Sequence, residues 1–348
     1  MTLAARYLAS RDCGQFLPPH RHDFSIYSFK PTDFWYSKTS LPLSKDTEVL
    51  RYNFSGRVRF KAGLNKAGLQ IIFIDNHSTT GSHLQGMGGI DSVMMISIKG
   101  HDWDGLSDAG ALGIKINFGE TIASKILNRD AMNTIQSIAA TFGANKSLVL
   151  RLTPSALELK GIMLKLLKQY ETKTGIAFDD IKSTAHISTP INLLSSEKIL
   201  NQNEEILTRI SQKIIQELHH EQAIHNKLYN NQRRSIALKI EELLWKQPKS
   251  LHLLEEIDLD YLAELLDVSR RTIQVSVQEQ FGVGFIDLRR TIRLYQIRTQ
   301  ITKTNLSENI STIVQKYFLT HPGRFSRDYK KMFGILPSVD ARKQLHEP

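Results

Sequence analysis

Residues 266–282 read LDVSRRTIQVSVQEQFG, and residues 318–334 read FLTHPGRFSRDYKKMFG. Each places Arg or Lys on a short predicted helix that ends in Phe-Gly, and together they decide the fold of the C-terminal part of the chain. In the first, Ser269 suits a helix N-cap because its hydroxyl accepts a first-turn backbone N–H. Ile273, Val277 and Phe281 recur every four residues and predict a core-facing side. Arg270, Arg271, Gln274 and Gln278 fall on the opposite side, with Thr272 in the first turn. Arg pairs bidentately with guanine and Gln with adenine in the major groove, so this side is a candidate reading face. The preceding DLDYLAELL (258–266) supplies Leu262, Ala263 and Leu266 as a packing face. A helix, a tight turn and a basic helix make a helix-turn-helix, here about 259–280.

The second segment repeats the plan at about 310–332. Ile313, Val314 and Tyr317 belong to its supporting helix, and Thr320 is placed to cap the next. Pro322 is tolerated in a first turn, and Gly334 suits the residue after a helix end. Phe325 and Tyr329 face inward in this reading; His321, Arg324, Arg327, Lys330 and Lys331 form the polar side. The predicted helix between the motifs runs roughly from Ile286 to Thr302, about 25 Å at about 1.5 Å per residue. With the flanking motifs it is long enough to hold two reading helices about 34 Å apart, one turn of duplex. Arg289, Arg290 and Arg293 on this helix are candidate phosphate contacts.

Charge follows the same division. The chain carries a formal +10, and residues 268–348 hold 14 Lys/Arg against 6 Asp/Glu, whereas residues 230–267 hold 5 against 8. A concentrated basic region implies a polyanion, either nucleic acid or an acidic membrane surface. No apolar stretch approaches the roughly 18 residues of a membrane span, and the N-terminus lacks a signal-like apolar core, so a cytoplasmic protein is expected. Cys13 is the only cysteine, which excludes an internal disulfide and a multi-thiolate zinc site. No cofactor or metal is expected. His77, His83 and His101 lack metal-site spacing, and no Ser/His/Asp or paired-carboxylate set points to an enzyme.

Residues 1–45 read as a mixed lead-in with one strand at DFWYS. GRVRFKAGL (56–64), GLQIIFID (68–75), DSVMMISIKG (91–100) and ALGIKINFG (111–119) read as strands of an antiparallel barrel or sandwich. DNHSTTGSH and HDWDGLSDAG read as the turns between them, GMGGID (86–91) as another turn, and Trp103 as the cap of a barrel end. Helices are predicted at about 121–140 and 154–171, with Asn128 and Pro154 as candidate points where a segment starts or stops. Residues 196–229 form a long helical pattern with Ile199, Ile206, Ile210, Ile214 and Leu218 near one face. That stripe either packs within its own domain or pairs with a second copy.

The tail resembles the DNA-binding domain of the AraC/XylS transcription regulators, through LAELLDVSRRTIQ, LRRTIRLYQIRTQI and GRFSRDYKKMFGILPS, over about residues 233–343. Within the family, VSRRTIQ with HPGRFSRDY is most similar to the ethanolamine-utilisation regulator branch. The resemblance implies base or phosphate contacts from Arg271 and Gln274, and from Arg324 and Arg327. The family often has Arg at Val275 and usually Ala at Val314. It usually has Gly-Phe at Phe318-Leu319, which puts strain on Phe318 if the turn demands a positive φ. It also implies an N-terminal effector-binding or dimerising domain, often a cupin-like barrel.

The resulting expectation is an α+β chain. Residues 1–195 form a β-rich sensor domain, 196–229 a helical dimerisation or linker segment, and 233–343 an all-α domain with two helix-turn-helix motifs. The implied function is sequence-specific transcriptional regulation, of activator type in a bacterium, through double-stranded DNA and RNA polymerase, by a homodimer under a small-molecule effector. A regulator whose N-terminal domain only oligomerises or binds a protein partner is the alternative.

Overall fold

The computed structural model describes residues 4–10, 24–29, 35–64, 67–75, 83–84, 87–88, 92–107, 111–140, 146–174, 185–190, 197–218, 232–246, 257–303, 309–316 and 322–343. The chain divides into one unit of residues 1–26 and 34–226 and another of residues 27–33 and 227–348. The class is α+β: sheets and helices in the first unit, helices in the second.

The chain opens with β1 (Ala4–Ser10), β2 (Phe24–Ser28, its last two residues counted in the second unit), β3 (Trp35–Pro42), β4 (Thr47–Ser55), β5 (Val58–Gly63) and β6 (Gly68–Asp75). Two short strands, β7 (His83–Leu84) and β8 (Met87–Gly88), precede β9 (Ser92–Ile98), β10 (Asp102–Ser107) and β11 (Ala111–Gly119). Next come α1 (Glu120–Ile126), α2 (Arg129–Ala140), β12 (Leu148–Leu150), α3 (Pro154–Thr174), β13 (Ala185–Pro190) and α4 (Glu197–Gln216). One sheet has the order β12-β9-β6-β11-β4-β3-β1-β13 and is antiparallel throughout. A second has the order β2-β5-β10-β7-β8.

Period-two alternation explains the core. Ile71 pairs with Ile96 and Ile116, and Ile116 with Val49, so alternate residues of four strands share one face. That face joins Ile135, Leu159, Met163, Leu207 and Ile214 of the helices in a continuous apolar cluster. The expected strands at 68–75 and 111–119 match β6 and β11 end for end. The helix expected over 121–140 is two helices, because the Asn128 side chain caps α2 by accepting the Ala131 N–H at 2.8 Å.

Three expectations change. Residues 1–45 contain three strands rather than one, and β1 lies between β3 and β13, a pairing with residues about 180 positions away. HDWDGLSDAG, read as a turn, contains β10, which pairs with β5 over six residues. Its Asp104 is buried against Arg59 at 2.8 Å, so a carboxylate that suggests a loop is held in a strand by a buried partner. Within GMGGID, Met87–Gly88 is β8 and the other residues lie outside the described ones. Trp103 packs on Phe60 at 5.0 Å between ring centroids.

On α4, Leu200, Leu207, Ile210 and Ile214 belong to the first unit's own core, whereas Ile199 and Ile206 are 49% and 43% exposed. Residues 219–229, the rest of the expected long helix, lie outside the described residues. No described helix is long and apolar enough to cross a membrane.

The second unit contains α5 (Gln232–Trp245), α6 (Leu259–Leu266), α7 (Arg270–Phe281), α8 (Phe285–Lys303), α9 (Ile310–Lys316), α10 (Pro322–Phe333) and α11 (Pro337–Lys343). Ile236, Ala237, Ile240 and Leu244 are the buried face of α5, and Gln296 of α8 donates to the Leu244 carbonyl at its C-terminal end. Leu294, Ile297 and Ile301 of α8 pack with Ile313, Val314, Phe325 and Tyr329.

Candidate nucleic-acid interface

The first motif is α6, a three-residue turn and α7. Asp258 begins it, accepting the Asp260 and Tyr261 N–H groups at 2.9 Å each. The Tyr261 N–H pulls the Asp258 carboxyl below its usual range, helped by the Asp260 N–H and the Arg289 and Arg270 charges. The turn is sharp because Asp267 sits in the left-handed region at φ 51°, a conformation that Asp tolerates better than most residues. The Val268 N–H closes it on the Ala263 carbonyl at 3.0 Å. Ser269 then caps α7, accepting the Thr272 N–H at 3.1 Å. At the far end Gly282, φ 67°, returns its N–H to the Gln278 carbonyl at 2.8 Å.

Between these caps Ile273, Val277 and Phe281 are fully buried, while Arg270, Arg271, Gln274 and Gln278 are exposed. At about 100° per residue the four polar side chains start within an arc of about 100°. They are not equivalent. The Arg270 guanidinium pairs with the Asp260 carboxylate, and the Thr272 hydroxyl lies 2.9 Å from that of Ser269. Arg271, Gln274 and Gln278 make up the rest of the exposed strip. Glu279 is drawn aside to Arg233 of α5 at 2.6 Å.

The second motif places Ile313 and Val314 of α9 against Phe325 and Tyr329 of α10, all four buried. Asn309 caps α9 by accepting the Ser311 N–H at 3.1 Å. Arg324, Arg327, Lys330 and Lys331 are exposed and start within an arc of about 120° opposite Tyr329. Gly334, φ 72°, ends α10 with its N–H on the Lys330 carbonyl at 2.8 Å. His321, Tyr317, Phe318 and Thr320, and with them the strain expected at Phe318, lie outside the described residues.

The helix between the motifs, α8, has 19 residues, about 28 Å at about 1.5 Å per residue. Its arginines, read from the sequence as candidate phosphate contacts, also have surroundings within the unit. Arg289 donates to the Ile257 carbonyl at 3.0 Å and lies over the Phe285 ring. Arg290 pairs with Asp328 of α10, and Arg293 is half-buried.

Sequence reasoning missed the polar groups that join the helices. Asp340 of α11 accepts the Arg298 Nε–H at 2.8 Å and the Tyr329 hydroxyl at 2.7 Å. Among the described residues no group of three His, Cys, Asp or Glu side chains is placed to hold a metal. In the first unit, burial pushes the His101 imidazole below its ordinary value, against the opposing pull of Asp102.

The family profile described as "Helix-turn-helix domain" matches residues 262–343, which run from within α6 to the end of α11. The "Probable thc operon regulatory protein" of Rhodococcus erythropolis is 30% identical over 92 residues, 26% of this chain and 28% of that protein. The chain thus spans little more than a quarter of the length of that curated relative. Among solved structures, the AraC-like transcriptional activator CuxR is similar over 85% of this chain and 94% of its own, at 10% identity and a TM-score of 0.38. ToxT from Vibrio cholerae O395 is similar over 94% of this chain and 100% of its own, at 13% identity and a TM-score of 0.30.

Proposed function

We propose that this chain, whose C-terminal unit carries an AraC-type helix-turn-helix domain, is a sequence-specific DNA-binding transcriptional regulator. The observation that carries the reading is the pair of helices α7 and α10, each with a buried apolar face and an exposed strip of Arg with Gln or Lys. In this reading α7 enters one major groove with Arg271, Gln274 and Gln278 toward base edges, and Arg270 at its rim. In the second motif α10 approaches the next groove with Arg324 and Arg327 toward bases and Lys330 and Lys331 toward phosphates. The length of α8 suits two grooves on one side of the duplex.

The β-rich first unit supplies control, by a small-molecule effector or by bringing two copies together. The exposed Ile199 and Ile206, one heptad apart on α4, support the second route. RNA polymerase is the partner through which such a protein acts on a promoter. The test is selection from a random-sequence duplex pool by the purified full chain, followed by sequencing of the bound fragments. Recovery of a motif with two elements about 10 base pairs apart supports the reading. Recovery of no motif, with only salt-sensitive binding to all DNA, overturns it.

A further inference from the structure

The two candidate reading helices are attached to their unit in different ways. The first, α7, is held by its caps, by the left-handed turn at Asp267 and by an ion pair at the surface, Arg270 with Asp260. The second, α10, is tied to α8 by the partly exposed ion pair of Arg290 with Asp328 and, in the interior, by a buried carboxylate on which three helices converge. Asp340 of α11 is 5% exposed. Its Oδ2 accepts the hydroxyl of Tyr329, fully buried on α10, at 2.7 Å. The same oxygen accepts the Nε–H of Arg298 on α8 at 2.8 Å, and Oδ1 faces Nη2 of that guanidinium at 3.5 Å. The Arg298 guanidinium also lies over the Phe333 ring at 4.6 Å, and Phe333 meets Tyr295 and Tyr329 edge-on.

Apolar contacts alone do not set the rotation of a helix about its own axis tightly. Burial of Phe325, Ile313 and Val314 is non-directional, so a small roll of α10 changes the buried area little. A hydrogen bond at 2.7 Å to a buried charge is directional and lapses with such a roll, leaving a buried carboxylate short of a partner. Tyr329 lies on the far side of α10 from Arg324, Arg327, Lys330 and Lys331, so any roll at Tyr329 swings these four side chains across a groove.

We propose that Asp340, clasped by Arg298 and Tyr329, is a positioning residue that sets the rotation of α10 and so decides which base pairs the second motif reads. The inference rests on the regulator reading above. It goes beyond it in assigning a specificity role to three residues that touch no DNA.

The experiment uses the full chain and duplexes carrying the motif selected by the wild-type protein, with the first or second element scrambled in turn. Tyr329→Phe keeps the ring and removes only the hydroxyl. Arg298→Lys keeps the charge and removes the planar donor pair. Arg271→Ala, on α7, marks which element belongs to the first motif. Both clasp variants are expected to keep the wild-type discrimination against a scrambled first element. Against a scrambled second element, a wild-type preference of tenfold or more falls below threefold, and reselection yields a blurred second element. The proposal is overturned if both variants read the second element as well as the wild type. It is equally overturned if they lose affinity for both elements in step with melting temperature, which is the mark of a merely structural role. A wild-type chain that selects only one element overturns the proposal and leaves the regulator reading standing, whereas one that selects no motif removes both.

Discussion

The Arg270 guanidinium on α7 pairs with the Asp260 carboxylate on α6, across the turn of the first helix-turn-helix. Both side chains are exposed, so the pair contributes little to stability. It does hold a cation of the candidate reading face against the protein. Asp260→Asn releases Arg270 and removes an anion from the rim. The expected outcome is tighter binding to any duplex, about two- to fivefold at low salt, with a steeper salt dependence. A titration of a fluorescent duplex at several salt concentrations checks it.

The strip on α7 and the basic arc on α10 differ in the kind of contact they support. Arg271→Ala or Gln274→Ala is expected to cost roughly 1–3 kcal/mol on the selected motif and to relax preference at one position. Lys330→Ala is expected to weaken selected and random duplexes equally and to reduce the salt slope by about 1. Equal losses on both duplexes for all three variants contradict the assignment of α7 as a base-reading helix.

Caps hold both motifs. Ser269→Ala removes the acceptor of the Thr272 N–H and is expected to cost about 1 kcal/mol. Gly334→Ala places a Cβ at φ 72° and is expected to cost about 1–2 kcal/mol, with no atom near enough to clash. Chemical denaturation, followed by a probe in the second unit, reports both.

The Arg59–Asp104 pair is buried on both sides at 2.8 Å, and Arg59 also donates to the carbonyls of Phe60 and Gly105. Removing one partner leaves the other charge without its counter-ion, so Asp104→Ala is expected to cost about 3–5 kcal/mol. The double change Arg59→Met with Asp104→Leu is expected to recover much of that loss. Thermal unfolding of the single and double variants separates the two outcomes.

His101 is buried, its Nδ1 lacks a hydrogen-bond partner, and burial lowers its pKa below the ordinary 6.5. The unfolded chain therefore binds a proton that the folded chain refuses. Stability is unaffected well above pH 6.5 and falls as the pH drops below it, until the folded-state value is reached. His101→Gln is expected to flatten this part of the stability profile between about pH 7 and 5. Melting temperatures of both proteins across that range provide the check.

What the sequence determined by itself was local. Ser269, the four-residue spacing of Ile273, Val277 and Phe281, and the terminal Gly282 specify a capped amphipathic helix without reference to any distant residue. The same holds for Phe325, Tyr329 and Gly334, and for the alternation that yields β6 and β11. Tertiary structure alone decided which polar groups are free and which are spent. Arg270, Arg289 and Arg290 look alike in sequence, yet their partners are Asp260, the Ile257 carbonyl and Asp328. Likewise β10 is a strand because β5 offers it a ladder and Arg59 neutralises Asp104, 45 positions away. A helix face depends on side chains three and four residues apart, which the sequence displays directly. The partner of a charge depends on which distant segment packing brings to within about 3 Å, and no local pattern encodes that.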